Sequence, residues 1–190
     1  MECAYIDESQ VGGTGSGLPY VLTASFAVGD TQDEVRDALR RLLPKNAKKL
    51  HWNRLTPDAQ ERVVGELLTL DLMHIVVVRE TTIQEKPERS RRSCIQMLLY
   101  ELASMDVEHA VFESRGSADD ARDLKMLGAL RSQRVVPTRF RVDHMPGPAE
   151  PLLWVPDVVN GAVGASIQHG GDHGFERQAW VTTTYQEYKA

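Results

Sequence analysis

The stretch Glu2-Cys3-Ala4-Tyr5-Ile6-Asp7-Glu8-Ser9 decides the fold, because it is a short apolar segment that ends in two carboxylates and a hydroxyl. Side chains alternate between the two faces of a strand, so Asp7 and Glu8 are predicted to point in opposite directions. Ionised side chains are disfavoured inside strands because they need water or a partner. A strand with acids at its carboxyl end therefore either stops there or contributes to a site there.

Composition limits the class of protein. The chain has 190 residues with 42% hydrophobic and 26% charged residues, which predicts one globular domain spanning residues 1–190. The net charge of -5 gives no overall attraction to nucleic acid or to an anionic membrane. Two cysteines form neither a metal motif nor a disulfide framework, which predicts a cytoplasmic protein. The acidic start and the absence of a long apolar run predict neither a signal peptide nor a membrane helix.

Hydrophobic periodicity divides the rest of the chain into strands and helices. Further strands are predicted at residues 20–28, 72–78, 108–114 and 138–143. Helices are predicted at residues 30–43, 56–70, 86–105 and 117–131, and a last helix is predicted to begin at Pro156. Residues 11–18 are predicted to form a glycine-rich hairpin loop, and the strand-like stretch 179–185 has no predicted role. The order of elements predicts an α/β fold with two helices between the second and third strands.

Two basic segments each allow two interpretations. Residues 45–54 contain Lys49, His51 and Trp52, and they form either a solvated loop or a loop that touches phosphate and base. Residues 86–92 place basic side chains in the first turns of a helix, against the preference of the helix dipole. They form either an exposed basic face or the site of an anionic partner.

Three acids recur in comparable settings. Asp7 and Glu113 end predicted strands, and Asp157 lies in the first turn of a helix. Gly161 and Gly164 share a face with Asp157, which predicts that this face lies very close to a neighbouring element, such as the sheet. Carboxylates that meet at strand ends repel each other unless a cation lies between them, and oxygen ligands without Cys or His favour Mg²⁺ or Mn²⁺. Two such ions can activate water for displacement at phosphorus.

Four short motifs resemble the DUF3800 family of bacterial proteins. They are Tyr5-Ile6-Asp7-Glu8-Ser9, Lys49-Leu50-His51-Trp52, Val111-Phe112-Glu113-Ser114-Arg115 and Leu153-Trp154-Val155-Pro156-Asp157-Val158-Val159-Asn160-Gly161-Ala162. The resemblance implies a ribonuclease H-like fold, in which a five-stranded mixed sheet is flanked by helices and the first and fourth strands are neighbours at its centre. The helical insertion between strands two and three departs from the usual meander of that fold.

The same resemblance implies a metal-dependent nuclease that acts on DNA or RNA by a two-metal mechanism. It implies that Mg²⁺ or Mn²⁺ is held by Asp7, Glu113 and Asp157, with Glu8 as a further ligand or a supporting acid. His51 and Lys49 are expected to orient phosphate or move a proton. Trp52 is a further substrate-binding candidate, and Arg115 is expected to hold Glu113 or a phosphate. The alternatives are a non-catalytic binding module for nucleic acid or a protein partner, and a nucleotide phosphohydrolase.

Overall fold

A computed structural model describes residues 3–12, 17, 19–82, 84–170, 172, 174–175 and 179–183. The strands are β1 (Cys3–Gln10), β2 (Tyr20–Ala27), β3 (Leu72–Arg79), β4 (His109–Glu113), β5 (Arg141–Met145) and β6 (Ala179–Thr183). The α-helices are α1 (Gln32–Leu42), α2 (Pro57–Leu67), α3 (Pro87–Ser104), α4 (Ser117–Ser132) and α5 (Trp154–His169). Short 3₁₀ turns cover Trp52–Arg54, Gly147–Ala149 and Pro151–Leu153. Most of the glycine-rich loop predicted at 11–18 lies outside the described residues.

The sheet is mixed, with the strand order β5-β4-β1-β2-β3-β6. β2 runs antiparallel to both β1 and β3, whereas the pairs β1–β4, β4–β5 and β3–β6 are parallel. This arrangement confirms the predicted mixed sheet, the pairing of the first and fourth strands inside it, and the helical insertion after β2. The strand-like tail, whose role was open, supplies β6 as a sixth strand beside β3, and residues 184–185 lie outside the described part.

Helices cover both faces of the sheet, so the described core has two halves. Apolar residues of α1, α2 and α5 form one half with alternate residues of the strands. Residues of α3 and α4 form the other half with the remaining strand residues. All eight residues of β2 are buried because they lie between the two layers. None of the helices in the described residues has the length and apolar character that a membrane span requires.

Strand register brings two of the three predicted acids to the same level. Ile6 of β1 pairs with Phe112 of β4 in parallel register, so the next residues along, Asp7 and Glu113, are level with each other. Both follow a residue that faces the core half containing α3 and α4. By alternation, both carboxylates project toward the layer that contains α5, and Glu8 projects toward the opposite layer.

Most element boundaries differ from the sequence prediction by one to three residues, and two of these differences have a visible cause. Helix α5 begins at Trp154 rather than at Pro156, because a 3₁₀ turn leads into it and the Glu150 carboxylate caps that turn by accepting from the backbone N–H of Leu152. Pro156 still lies in the first turn, where a missing N–H leaves no helical bond unmade. Strand β5 begins at Arg141 instead of residue 138, because the backbone N–H of Phe140 donates to Pro137 in a turn at 3.0 Å.

Candidate active site

The three acids predicted from the sequence converge on one face of the sheet. Asp7 and Glu113 lie at the carboxyl ends of β1 and β4, and Asp157 lies in the first turn of α5. Asp157 is only 7% exposed. The amino-terminal end of a helix favours negative charge, which helps to offset the burial of this carboxylate. Three elements distant in sequence therefore deliver one acid each to a single cluster.

Lys49 is the cation inside this acid cluster. Its Nζ donates to both carboxylate oxygens of Glu113, at 2.7 and 2.8 Å. The same Nζ lies 3.7 Å from Oδ2 of Asp157. Lys49 therefore links the acid of β4 to the acid of α5, and the segment that carries it faces the cluster instead of lying free in solvent.

His51 and Trp52 hold the carboxylate of Asp157 from the same segment. His51 Nδ1 is 2.7 Å from Oδ2 of Asp157, and the backbone N–H of Trp52 donates to Oδ1 at 3.2 Å. An ionised carboxylate can only accept, so toward an ionised Asp157 the donor is Nδ1 of His51, and Nε2 is the ring nitrogen not used in this contact. Both oxygens of Asp157 are thus fixed in direction.

The neighbouring charges of the cluster shift the pKa values of Asp7 and Lys49. Burial, and then the negative charges of Asp157 and Glu113, raise the pKa of Asp7 well above its ordinary value, against the opposing effects of the Glu8 N–H and of Lys49. Burial alone would lower the pKa of Lys49, but its hydrogen bond to Glu113 and the three nearby carboxylates outweigh that effect and raise the pKa. The site therefore stabilises positive charge.

The donor chemistry fits a hard divalent cation. Asp7, Glu113 and Asp157 offer only oxygen ligands, which suit Mg²⁺ or Mn²⁺ better than zinc. A Cβ at Gly147 would overlap the Glu113 carboxylate, so the backbone at residue 147 closely confines that group. As the side chains stand, no three His, Cys, Asp or Glu residues of the described ranges form a ready metal cage; Lys49 stands between two of the acids.

Two residues expected at this site lie on the opposite face of the sheet. Glu8 accepts from Arg91 Nε at 2.6 Å and lies 3.4 Å from Arg115 Nε. Arg115 also approaches Asp123 at 3.9 Å, so it pairs with acids of that face rather than with Glu113. The structure thus does not bring Glu8 or Arg115 to the cluster. Strand alternation points Glu8 away from Asp7, and Arg115 extends to the face where Glu8 lies and pairs with it.

The glycine face of α5 has the predicted close neighbour at Gly161. A Cβ at Gly161 would overlap the indole ring of Trp52, so this face of the helix lies against the segment that carries His51 and Trp52. The close approach predicted from the two glycines is therefore present at Gly161, where the neighbour is Trp52. At Gly164 a Cβ would lie 3.4 Å from Val11, which is an ordinary contact. Gly161 therefore permits the close approach that brings His51 to Asp157.

The structure adds one residue that the sequence analysis did not select. Asn160 is 1% exposed, donates to the backbone carbonyl of Asp7 at 2.9 Å and accepts from Thr23 Oγ1 at 2.7 Å. It thereby ties α5 to β1 and β2 at the level of the acids. The signal was a polar residue three positions after Asp157 in an apolar helix, and its partners could not be identified without the fold.

An open cavity of about 670 Å³ adjoins the acid cluster. Glu113, Lys49 and His51 form one side of it. The remaining lining residues come from the segment after α1 and from residue 148; they are Pro44, Asn46, Ala47, Lys48, Arg54, Leu55 and Pro148. The basic members of this lining predict that an anion approaches the acids from this side.

The mixed sheet with its flanking helices is a ribonuclease H-like fold, and comparison with solved structures supports this fold. No protein-family model and no curated protein matches the chain. Among solved structures, it matches the PCNA:RNase HII complex from Archaeoglobus fulgidus with a TM-score of 0.56 and 16% identity, over 94% of this chain and 82% of that chain.

Two further structures have the same fold. Ribonuclease H2 from Pyrococcus horikoshii OT3 matches with a TM-score of 0.57 and 14% identity, over 95% of this chain and 81% of the other. Bst-RNase HIII in complex with Mn²⁺ matches with a TM-score of 0.60 and 13% identity, over 88% of this chain and 53% of the other. The chain thus spans about half of the RNase HIII chain. At these identities the likeness establishes the ribonuclease H-like fold.

Substitution of Gly161 tests the contact that positions His51. We expect Gly161→Ala to displace Trp52 and to lower the free energy of unfolding by about 1–3 kcal/mol, because overpacking forces neighbouring groups to move. The matched control is Gly65→Ala in α2, where a Cβ would meet nothing within 4 Å; it should stabilise the protein by about 0.5–1 kcal/mol. Urea unfolding of both variants provides the measurement, and equal stabilisation by the two substitutions would contradict the contact.

Proposed function

We propose that this protein is a metal-dependent nuclease that hydrolyses phosphodiester bonds of nucleic acid with Mg²⁺ or Mn²⁺. The observation that carries the proposal is the convergence of Asp7, Glu113 and Asp157 from β1, β4 and α5 in a ribonuclease H-like fold. The matched RNase HIII structure is a complex with Mn²⁺, which supports the choice of metal. The motifs shared with DUF3800 lead us to propose membership of that family.

Each residue of the site has a defined part in this proposal. Asp7, Glu113 and Asp157 would hold the metal, which when bound supplies an activated water and stabilises the leaving oxygen. His51 fixes Asp157 through Nδ1, so its Nε2 is the atom available to move a proton. Lys49 supplies a positive charge for phosphate. Trp52 packs on α5 and presents its backbone N–H to Asp157, so its first task is to position the acid.

Both cysteines support a reducing compartment. Cys3 and Cys94 are free thiols, and burial raises their pKa values to about 11 and about 12, respectively. The raised pKa values show only that both thiols are protonated at neutral pH, whereas the lack of a disulfide is what is usual in a reducing compartment. We therefore propose that the protein works in the cytoplasm.

Cleavage of a substrate panel tests the proposal. The purified chain is incubated with single- and double-stranded DNA, with RNA and with an RNA–DNA hybrid, each with Mg²⁺, Mn²⁺ or a chelator. We expect metal-dependent cleavage of at least one polymer that is lost in Asp157→Asn. Hydrolysis of free nucleotides alone would instead identify a nucleotide phosphohydrolase. Salt-dependent binding without cleavage, unchanged in variants of the three acids, would identify a non-catalytic binding module.

The cavity beside the acids provides a prediction about substrate binding. Lys48 and Arg54 line it and are exposed. We expect Lys48→Gln and Arg54→Gln each to lower the slope of log affinity against log salt by about 1, because each removes one phosphate contact. Fluorescence anisotropy with a labelled oligonucleotide gives this slope. Arg62→Gln in α2 is the control, since Arg62 is exposed and does not line the cavity; an equal loss there would indicate only a general charge effect.

A further inference from the structure

The Lys49 ammonium occupies the place of a cation between two acids. Its Nζ lies 2.7 and 2.8 Å from the two carboxylate oxygens of Glu113 and 3.7 Å from Oδ2 of Asp157. The side chain is only 23% exposed, so it is held in the site rather than extended into solvent. Lys49 donates to both carboxylate oxygens of Glu113, which are the ligands that a divalent ion would need.

A divalent ion and this ammonium cannot use the same carboxylates in the same place. Without any cation, the buried Asp157 and the half-buried Asp7 and Glu113 would repel one another. Lys49 offsets part of that repulsion. Two positive groups a few ångströms apart repel each other strongly when water is partly excluded, so binding of one at Glu113 disfavours the other.

We propose that Lys49 is a built-in counter-ion, which holds the acid site in the metal-free protein and is displaced when Mg²⁺ or Mn²⁺ binds. The inference rests on the metal site of the proposed function and concerns how that site is regulated. The side chain has room to move, because Lys49 itself lines the cavity of about 670 Å³ beside Glu113.

Displacement of Lys49 would couple metal binding at the acids to phosphate binding in the cavity. In the cavity Lys49 lies beside the basic residues Lys48 and Arg54, where an anion is favoured. Metal binding thus frees one more positive charge for a substrate phosphate. Because coupling between two ligands is reciprocal, phosphate binding in the cavity should in turn strengthen binding of the metal.

Titration of the complete chain with Mn²⁺, without substrate, tests this inference. Lys49→Met retains the length and bulk of the side chain but removes the charge. We expect its dissociation constant for Mn²⁺ to be at least about tenfold lower than that of the unmodified chain, which corresponds to about 1.4 kcal/mol. In the absence of metal its melting temperature should be lower, and saturating Mn²⁺ should raise that temperature more than it does in the unmodified chain.

Lys45→Met is the matched control, because Lys45 is an exposed lysine of the same segment and does not line the cavity. It should leave the Mn²⁺ affinity unchanged. If Lys49→Met does not fold, Lys49→Gln retains a donor for Glu113 and provides the same comparison. Equal or weaker Mn²⁺ binding in the Lys49 variants would overturn the inference and leave the proposed nuclease standing. Absence of Mn²⁺ binding in every variant would overturn both.

Discussion

Asp7→Asn is expected to reduce metal-dependent cleavage by about 10³-fold, which corresponds to about 4 kcal/mol of lost transition-state stabilisation. The amide keeps the size of the side chain but cannot supply a negative oxygen to a divalent ion. Single-turnover cleavage of the best substrate at saturating metal measures the loss. The control is Asp37→Asn in α1, where the carboxylate is 65% exposed and pairs with Arg40, and it should leave the rate unchanged.

The same substitution should stabilise the metal-free protein. Because burial, Asp157 and Glu113 raise the pKa of Asp7, the folded state favours its protonated form. The contribution of Asp7 to stability is therefore full below its ordinary pKa and is lost as the pH rises through the raised pKa. At pH 7 an ionised Asp7 beside two other carboxylates destabilises the folded state. Asp7→Asn removes this negative charge, and we expect the free energy of unfolding to rise by about 1 kcal/mol. A loss of both activity and stability would indicate a merely structural role.

Asp123→Asn should have the largest effect on stability. Asp123 accepts from both terminal nitrogens of Arg91, and His144 Nε2 lies 3.1 Å from it. Arg91 is 3% exposed, so loss of this partner leaves a buried charge that is paired with Glu8 and has one carboxylate fewer. We expect the free energy of unfolding to fall by about 3 kcal/mol, the lower end of the cost of breaking a buried pair. Denaturant unfolding measures the change.

The pH dependence of this effect has a definite sign. Burial alone would raise the pKa of Asp123, but the hydrogen bonds from His144 and Arg91 and the positive charge of Arg91 outweigh it and hold the pKa at about 2. The stabilisation is complete above the ordinary value of about 4 and is lost as the pH falls toward about 2. Asp123→Asn should therefore flatten acid unfolding in that window, as followed by circular dichroism.

Two comparisons separate this pair from general surface charge. Asp143→Asn on β5 is the control, because that carboxylate is 67% exposed and pairs with His109; it should change stability by no more than about 0.5 kcal/mol. The double variant Arg91→Gln with Asp123→Asn should cost less than the sum of its two single substitutions. Simple additivity would mean that the buried pair contributes nothing as a pair.

Local sequence patterns located the three acids at element ends, and the resemblance to DUF3800 supplied the expectation that they meet. Asp7 and Glu113 each terminate an apolar strand, and Asp157 follows a helix start, so local patterns locate them. Strand alternation also predicted that Asp7 and Glu8 face opposite layers. It could not decide which of them shares a face with Glu113, since that depends on the parallel register of β1 with β4.

The partners of these acids could not be predicted because they are distant in sequence. Lys49 and Glu113 are separated by 64 positions, and Asn160 and the Asp7 carbonyl by 153. The basic residues in the first turns of α3 run against the preference of the helix dipole. The structure explains Arg91, which forms ion pairs with Glu8 and Asp123 on the face of the sheet opposite the acid cluster. Such pairings follow from packing of the two helical layers rather than from any local pattern.

A crystal structure of the protein soaked in Mn²⁺ tests the central claim most directly, because anomalous scattering locates the ion without reference to activity. The proposal predicts Mn²⁺ coordinated by Asp7, Glu113 and Asp157, as two ions about 4 Å apart when a phosphate analogue is present. It also predicts that the Lys49 ammonium has left Glu113. Crystals with Mn²⁺ bound elsewhere, or with the three carboxylates free of metal while Lys49 still bridges Glu113 and Asp157, would contradict it.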